Sequence, residues 1–194
     1  MRFLVIYAHP CEDSYHSAIH HRVVAVLTKA GHEVDDCDLY AEGFQPVLSR
    51  AERREYLDPS ANRSFVPREV DRLLKCQGLV FVFPTWWYGI PAILKGYFDR
   101  VWLPGVAFDV DGPKTIPLLT QVLKLGIVTT FGSPWWLNNL YVGNPNRKLF
   151  LRGIRRLLSP KVRTLWLAQY GMDYVDAAAR ESFLNKVEAR LLSF

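Results

Sequence analysis

Leu79-Val80-Phe81-Val82-Phe83, stopped by Pro84, is the run on which the fold of this chain turns. It is apolar at every position and has none of the in-and-out alternation of a strand with one wet face. A short continuous apolar run of Val and Phe, closed by a proline, is the pattern of a strand buried on both sides of a sheet. Working outward, residues 3–8, 124–130 and 162–168 repeat the pattern, and residues 33–39 alternate weakly, as a sheet-edge strand does. Helical spacing fills the intervals. Ile19, Val23, Val26/Leu27 and Ala30 share one face of residues 14–30, which end at Gly31. Pro67 opens a helix to about residue 76, and another covers 92–102 after Pro91. A last helix begins near Asp176 as N-cap, with Phe183, Val187 and Leu191 on one face. Residues 40–67 are the least regular, with a short helical piece at 50–56. Residues 103–114 read as loop, with Pro104-Gly105 and Asp111-Gly112-Pro113 as turn signals. Alternating buried strands and helices predict an α/β protein with a five-stranded parallel sheet and a single domain over residues 1–194.

The totals agree. The chain has 194 residues, 49% apolar and 13% aromatic, enough for an independent core. Its net charge is +5, with basic clusters at Arg50/Arg53/Arg54 and Arg152/Arg155/Arg156; each reads as a solvated helix face or as an attractor of phosphate-bearing ligands. Three scattered cysteines give neither a disulfide framework nor a zinc spacing, so a reducing, cytoplasmic setting is expected. No targeting segment or membrane span is expected: the apolar start reaches His9-Pro10 too soon, and Lys124 breaks the stretch from 118 to 131.

A parallel sheet of this kind binds ligands beyond the carboxyl ends of its strands, where strand order reverses. Three segments stand there. His9-Pro10-Cys11-Glu12-Asp13-Ser14-Tyr15-His16 leads into a helix start, whose free N–H groups and dipole attract phosphate; His9, Ser14 and His16 add donors, and an ordinary capped helix is the plainer alternative. Pro84-Thr85-Trp86-Trp87-Tyr88-Gly89 sets three aromatics directly past a buried strand, where they either pack as core or stack on a planar ring. Thr129-Thr130-Phe131-Gly132 offers backbone N–H groups, at Phe131 and Gly132, for charge that builds on the pyrimidine side of a reduced ring. Other chemistries lack their motifs. There is no G-x-G-x-x-G, P-loop, G-x-S-x-G or C-x-x-C. Ser17 stands where the phosphatase pattern Cys-x5-Arg needs arginine, and His16 and His20 lack the acidic partner of a zinc helix, so no metal is expected.

Taken together these segments resemble the flavin-dependent NAD(P)H quinone reductases, the family of DT-diaphorase with its bacterial drug-modulator and potassium-efflux-ancillary relatives. The stretch from Phe83-Pro84-Thr85-Trp86-Trp87-Tyr88-Gly89-Ile90-Pro91 through Lys95-Gly96-Tyr97-Phe98-Asp99-Arg100-Val101 matches that signature throughout; Ala8-His9-Pro10, Asp38-Leu39-Tyr40, Phe44-Gln45-Pro46 and Thr129-Thr130 fit in order. The resemblance implies a flavodoxin-like three-layer sandwich with strand order 2-1-3-4-5 and helices on both faces. It implies flavin phosphates held by His9, Ser14, Tyr15 and His16, a ring wrapped by Pro84, Thr85, Trp86, Trp87 and Tyr88, and Thr130, Phe131 and Gly132 at its pyrimidine edge. It also implies a homodimer in which a partner's loop reaches the adenine of FAD. Asp58-Pro59-Ser60-Ala61-Asn62 matches that loop, making Asn62 the adenine contact and favouring FAD over FMN. Two departures stand out. Phe131 occupies the first of two usual glycines, and the proton-relaying Tyr and His are missing, which leaves Trp136 and Tyr141 as the nearest aromatic candidates for that catalytic place.

The function expected from the resemblance is an oxidoreductase that takes hydride from NADPH or NADH and passes two electrons to a quinone or similar aromatic acceptor by a ping-pong mechanism. The rival readings are a flavodoxin-like electron carrier and a regulatory flavoprotein subunit of a membrane transporter.

Overall fold

The computed structural model describes residues 1–194. Its central sheet runs β2 (Glu33–Asp38), β1 (Arg2–Tyr7), β3 (Gly78–Pro84), β6 (Lys124–Thr130), β7 (Arg163–Gln169), every pair parallel. This is the expected 2-1-3-4-5 winding. Every residue of β3 is buried, as its unbroken apolar run requires.

Strand pleating splits the core in two. Leu4 and Ile6 of β1, with Leu79, Phe81 and Phe83 of β3 and Leu125 and Ile127 of β6, face α3 (Pro67–Lys75) and α4 (Ala92–Val101). The intervening Phe3, Val5, Tyr7, Val80, Val82 and Val128 face α1 (Tyr15–Lys29) and α6 (Ala177–Leu192), which contribute Ile19, Val23, Leu27, Phe183 and Val187. Both outer helices have the ends that their sequence announces. Ser14 accepts the Ser17 N–H at 3.1 Å and Asp176 accepts the Ala179 N–H at 2.8 Å, each an N-cap. Past α1, Gly31 takes the left-handed conformation (φ 78°) that lets the next residue bond back to Leu27.

Two stretches differ from expectation. Residues 103–114 were expected as loop. Phe108–Asp111 (β4) and Lys114–Pro117 (β5) instead form a two-stranded antiparallel hairpin, closed at the Asp111-Gly112-Pro113 turn. The flanks are short and mostly exposed, so they lack the alternation that marks a half-buried strand. The connection from β6 to β7 is helical but irregular. It winds through wide turns at Leu137–Tyr141 and Leu149–Gly153 around the single turn of α5 (Pro145–Lys148). No helix is long and apolar enough to cross a membrane.

The loop after β2 is locked onto α4. A side chain at Gly96 would overlap the Pro46 carbonyl. Arg100 donates to the Gln45 carbonyl and, at 2.6 Å, to Glu52 of α2 (Arg50–Glu55). Glu52 in turn accepts the Ser49 N–H at 2.8 Å. Replacing Gly96 by Ala is therefore expected to destabilise the chain by about 1–3 kcal/mol, the usual cost of overpacking. A thermal melt is expected to show this as a Tm lower by about 2–4 °C per kcal/mol.

Candidate functional site

The strand tips that the sequence singles out do converge. Ala8, just past β1, donates to Val82 of β3 at 3.0 Å, and Pro84 pairs in register with Thr130 of β6. Thr85 donates its N–H to the Thr130 carbonyl at 2.8 Å, and its hydroxyl lies 3.1 Å from that of Thr129. Beside this floor, His9 stacks parallel to His16 with ring centroids 5.7 Å apart and meets Trp86 at 5.9 Å. The helix start, the aromatic segment and the threonine pair thus lie side by side at the carboxyl end of the sheet.

At the helix start the Ser14 oxygen is occupied as cap acceptor while its O–H remains available to donate. The backbone N–H groups of Tyr15 and His16 have no acceptor within the chain, as the first donors of a helix do not. The Tyr15 hydroxyl points elsewhere, donating to the Arg180 carbonyl at 2.9 Å, and burial pushes its pKa up to about 12. His16, expected as a phosphate donor, is deeply placed. It is 5% exposed, and its Nε2 has no hydrogen-bond partner. Burial holds its pKa down to about 3, deepened by neighbouring His9 and offset in part by the Phe83 carbonyl. It is a buried neutral imidazole in the first turn of α1. His20, one turn on, bonds Asp36 at 2.7 Å and stacks on Tyr7, so the two histidines serve different neighbours.

The aromatic segment is a strained hairpin turn. Trp86 and Gly89 exchange both backbone hydrogen bonds, at 3.1 and 2.9 Å, across Trp87 (φ 51°) and Tyr88 (φ 59°). Two left-handed central residues define the tight turn that ordinarily selects Asn-Gly, and bulky side chains there cost about 1–3 kcal/mol each. The strain presents rings to the outside: Trp87 is 98% exposed, with Trp86 and Tyr88 partly so.

Two expected site residues are turned away. Phe131 is buried and stacks on Tyr170 at 4.8 Å; its N–H donates to Gln169 and its carbonyl accepts from Met172, so it neither narrows the crevice nor offers a donor to it. Gly132, whose N–H has no acceptor in the chain, inherits that place. Asn62 is also buried, its amide donating at 3.0 Å to the Tyr56 and Pro104 carbonyls. It braces its own loop, and its amide nitrogen is not free to reach an adenine. Trp136 and Tyr141 stand exposed on the stretch after β6.

Sequence reading missed the asparagines that hold this stretch. Asn146 donates to the Thr85 hydroxyl at 3.0 Å, tying the connection to the crevice floor. Asn138 donates to Ser133 and Pro134, and Asn144 to Asn139 and Tyr170. Asn138, Asn144 and Asn146 are all buried. Their clustering among Gly and Pro was the available signal, because buried amides need partners that only a folded loop supplies.

The sequence model of the family described as flavodoxin-like fold matches residues 1–190. The chain belongs to this family. It is 36% identical over 124 residues to an uncharacterized NAD(P)H oxidoreductase of Haemophilus influenzae, covering 61% of this chain and 59% of that protein. It is 30% identical over 148 residues to the ribosyldihydronicotinamide dehydrogenase [quinone] of Pongo abelii, covering 68% of this chain and 64% of that protein. The chain thus spans about three fifths of the length of these curated relatives. A crystal structure of a Streptococcus mutans UA159 protein superposes with a TM-score of 0.86 at 27% identity and covers 100% of both chains.

Two outcomes test the site. Trp87→Asn with Tyr88→Gly should relieve the left-handed strain and raise the Tm of the ligand-free protein while removing the exposed rings; an unchanged or lower Tm would locate those side chains in the packing. His16, with its pKa pushed below the ordinary value of about 6.5, leaves the unfolded chain binding more protons below that pH. The stability it confers is complete above about pH 6.5 and drains away as pH falls toward about 3, so the Tm of His16→Gln should decline less steeply over that window than that of the parent.

Proposed function

We propose that residues 1–194 form one flavin-binding domain and that the protein is a flavin-dependent NAD(P)H oxidoreductase, passing two electrons as hydride to a quinone or similar aromatic acceptor. The observation that carries this reading is the junction of three strand tips on one crevice floor: Ser14 and His16 at the helix start, Thr85 and Trp86 after β3, and Thr129 and Thr130 of β6. The residues present fit a flavin: unsatisfied N–H donors and a buried neutral imidazole suit its phosphate, and outward-facing rings suit its plane. Bound there, a flavin supplies reversible hydride chemistry that no side chain of the site provides.

The chain supplies placement. Tyr15 and His16 N–H groups with the Ser14 hydroxyl hold the phosphate without spending charge, and His9 lies beside them. Trp86 and Tyr88 bound the ring. Thr85, fixed from both sides by Thr129 and Asn146, would position the edge of a bound flavin, and the Gly132 N–H, which has no acceptor in the chain, would be available to negative charge there. Trp136 and Tyr141 remain the candidates to contact the acceptor. A flavin held there would be reduced and reoxidised by ligands that use the same place in turn, and ping-pong kinetics would follow. The names carried by the Haemophilus and Pongo relatives support the reductant and the acceptor class.

This wall is incomplete within one chain. Trp87 at 98% exposure and Tyr141 at 83% are free to meet a second copy, which supports a homodimer as the working unit. FAD stays the expected flavin on the resemblance of Asp58 to Asn62 to the adenine-contacting loop of the family; with the Asn62 amide spent on its own loop, exposed Asp58, Pro59 and Ser60 are the residues left to make that contact.

The decisive measurement is the mass of the small molecule released on denaturing the purified protein, joined to NADPH oxidation with a simple benzoquinone. FAD and parallel double-reciprocal lines are expected. A protein that holds no flavin and cannot be reconstituted with FAD or FMN would sink the proposal.

A further inference from the structure

Beyond the crevice the chain gathers its densest positive charge. Arg147, Lys148, Arg152, Arg155 and Arg156 are all exposed on the irregular helical connection, and none joins any ion pair of the chain. Three other exposed cations are matched, Lys75 with Asp71, Lys95 with Asp99 and Arg68 with Glu42, whereas Arg50, Arg53 and Arg54 of α2 are unpaired like the ridge but line no such groove. Unpaired cations crowded on one ridge repel each other and attract phosphate. A groove of about 590 Å³ runs along the ridge, walled by Trp135, Asn139, Asn144, Arg147, Arg152 and Arg155, with no carboxylate in its lining. None lines the two grooves on either side of Arg152 and Arg156 either.

The same helical connection that lines the groove is tied to the strand tips. Asn146, adjacent to Arg147, bonds the Thr85 hydroxyl, and Asn144, in the groove wall, bonds Tyr170, which stacks on Phe131. At its other side the indole of Trp135 is 54% exposed, a flat apolar face beside a row of guanidinium groups. A planar base next to a doubly charged phosphate is the ligand that matches both.

We infer that this groove receives the adenosine end of the reductant, with Trp135 stacking on adenine and Arg147, Arg152 and Arg155 gripping a 2′-phosphate, so that NADPH is preferred to NADH. The inference rests on the oxidoreductase reading and deepens it by assigning the specificity site. A guanidinium fork meets phosphate oxygens two at a time, and a phosphate monoester carries close to two charges at neutral pH, whereas a ribose hydroxyl offers such a cluster little. Stacking is indifferent to the 2′ substituent. Trp135 therefore sets affinity for either nucleotide and the arginines set the difference between them.

Calorimetric titration of the purified protein with adenosine 2′,5′-bisphosphate and with adenosine 5′-monophosphate separates these roles. The bisphosphate should bind at least about tenfold more tightly, the equivalent of one charge-assisted contact. Arg152→Gln with Arg155→Gln should remove most of that advantage, and Trp135→Ala should weaken both nucleotides by a similar factor, with circular dichroism as the check on folding. Equal binding of the two nucleotides, an advantage that survives the double arginine variant, or displacement of the bisphosphate by an equal concentration of inorganic pyrophosphate overturns the inference. These titrations need no turnover: loss of flavin would defeat the oxidoreductase reading without mimicking any of those three results.

Discussion

Burial of β3 and β6 on both faces constrains everything else in this molecule. Strands covered above and below by helices have no free side on which to present a ligand-binding group, so chemistry is confined to their ends. The carboxyl ends are where β1, β3 and β6 finish side by side, and where the chain keeps its unsatisfied N–H groups, its exposed indoles and its paired threonine hydroxyls. The amino ends carry ordinary turns. The same burial explains why the sheet reads as apolar blocks, since any polar residue within β3 would need a partner that neither helix layer offers.

Much of this was legible before any coordinates. Apolar runs and helical spacing place the five strands of the sheet and its main helices within a residue or two, because burial on two faces leaves a strong mark on composition. The hairpin Phe108–Pro117 escaped because its residues are mostly exposed and its two strands pair with each other rather than with the main sheet. Phe131 shows a different limit. Its position in the chain suggested a group facing the ligand, but the neighbouring Tyr170 gives an aromatic ring a better place, and the backbone is spent on β7 and the turn beyond it. Asn62 failed in the same way: an amide that can bind a base can equally bind carbonyls of its own loop, and composition does not distinguish the two.

The asparagine braces were out of reach for a related reason. Asn146 matters through the Thr85 hydroxyl, a contact between residues far apart in the chain, and a single sequence carries no record of which side chains meet. His16 was legible as a donor, while its neutrality follows only from the depth at which α1 packs on the sheet. Local chemistry can be read from the sequence. Its electrostatic state depends on the surrounding fold.

The left-handed turn at Trp87 and Tyr88 has an entropic side. Its two reciprocal backbone hydrogen bonds hold the aromatic wall in shape with nothing seated against it. A surface held by backbone hydrogen bonds is preassembled, so anything that docks on it costs the protein little conformational freedom. The conformation of these rings is thus set by the backbone of the turn rather than by their own packing.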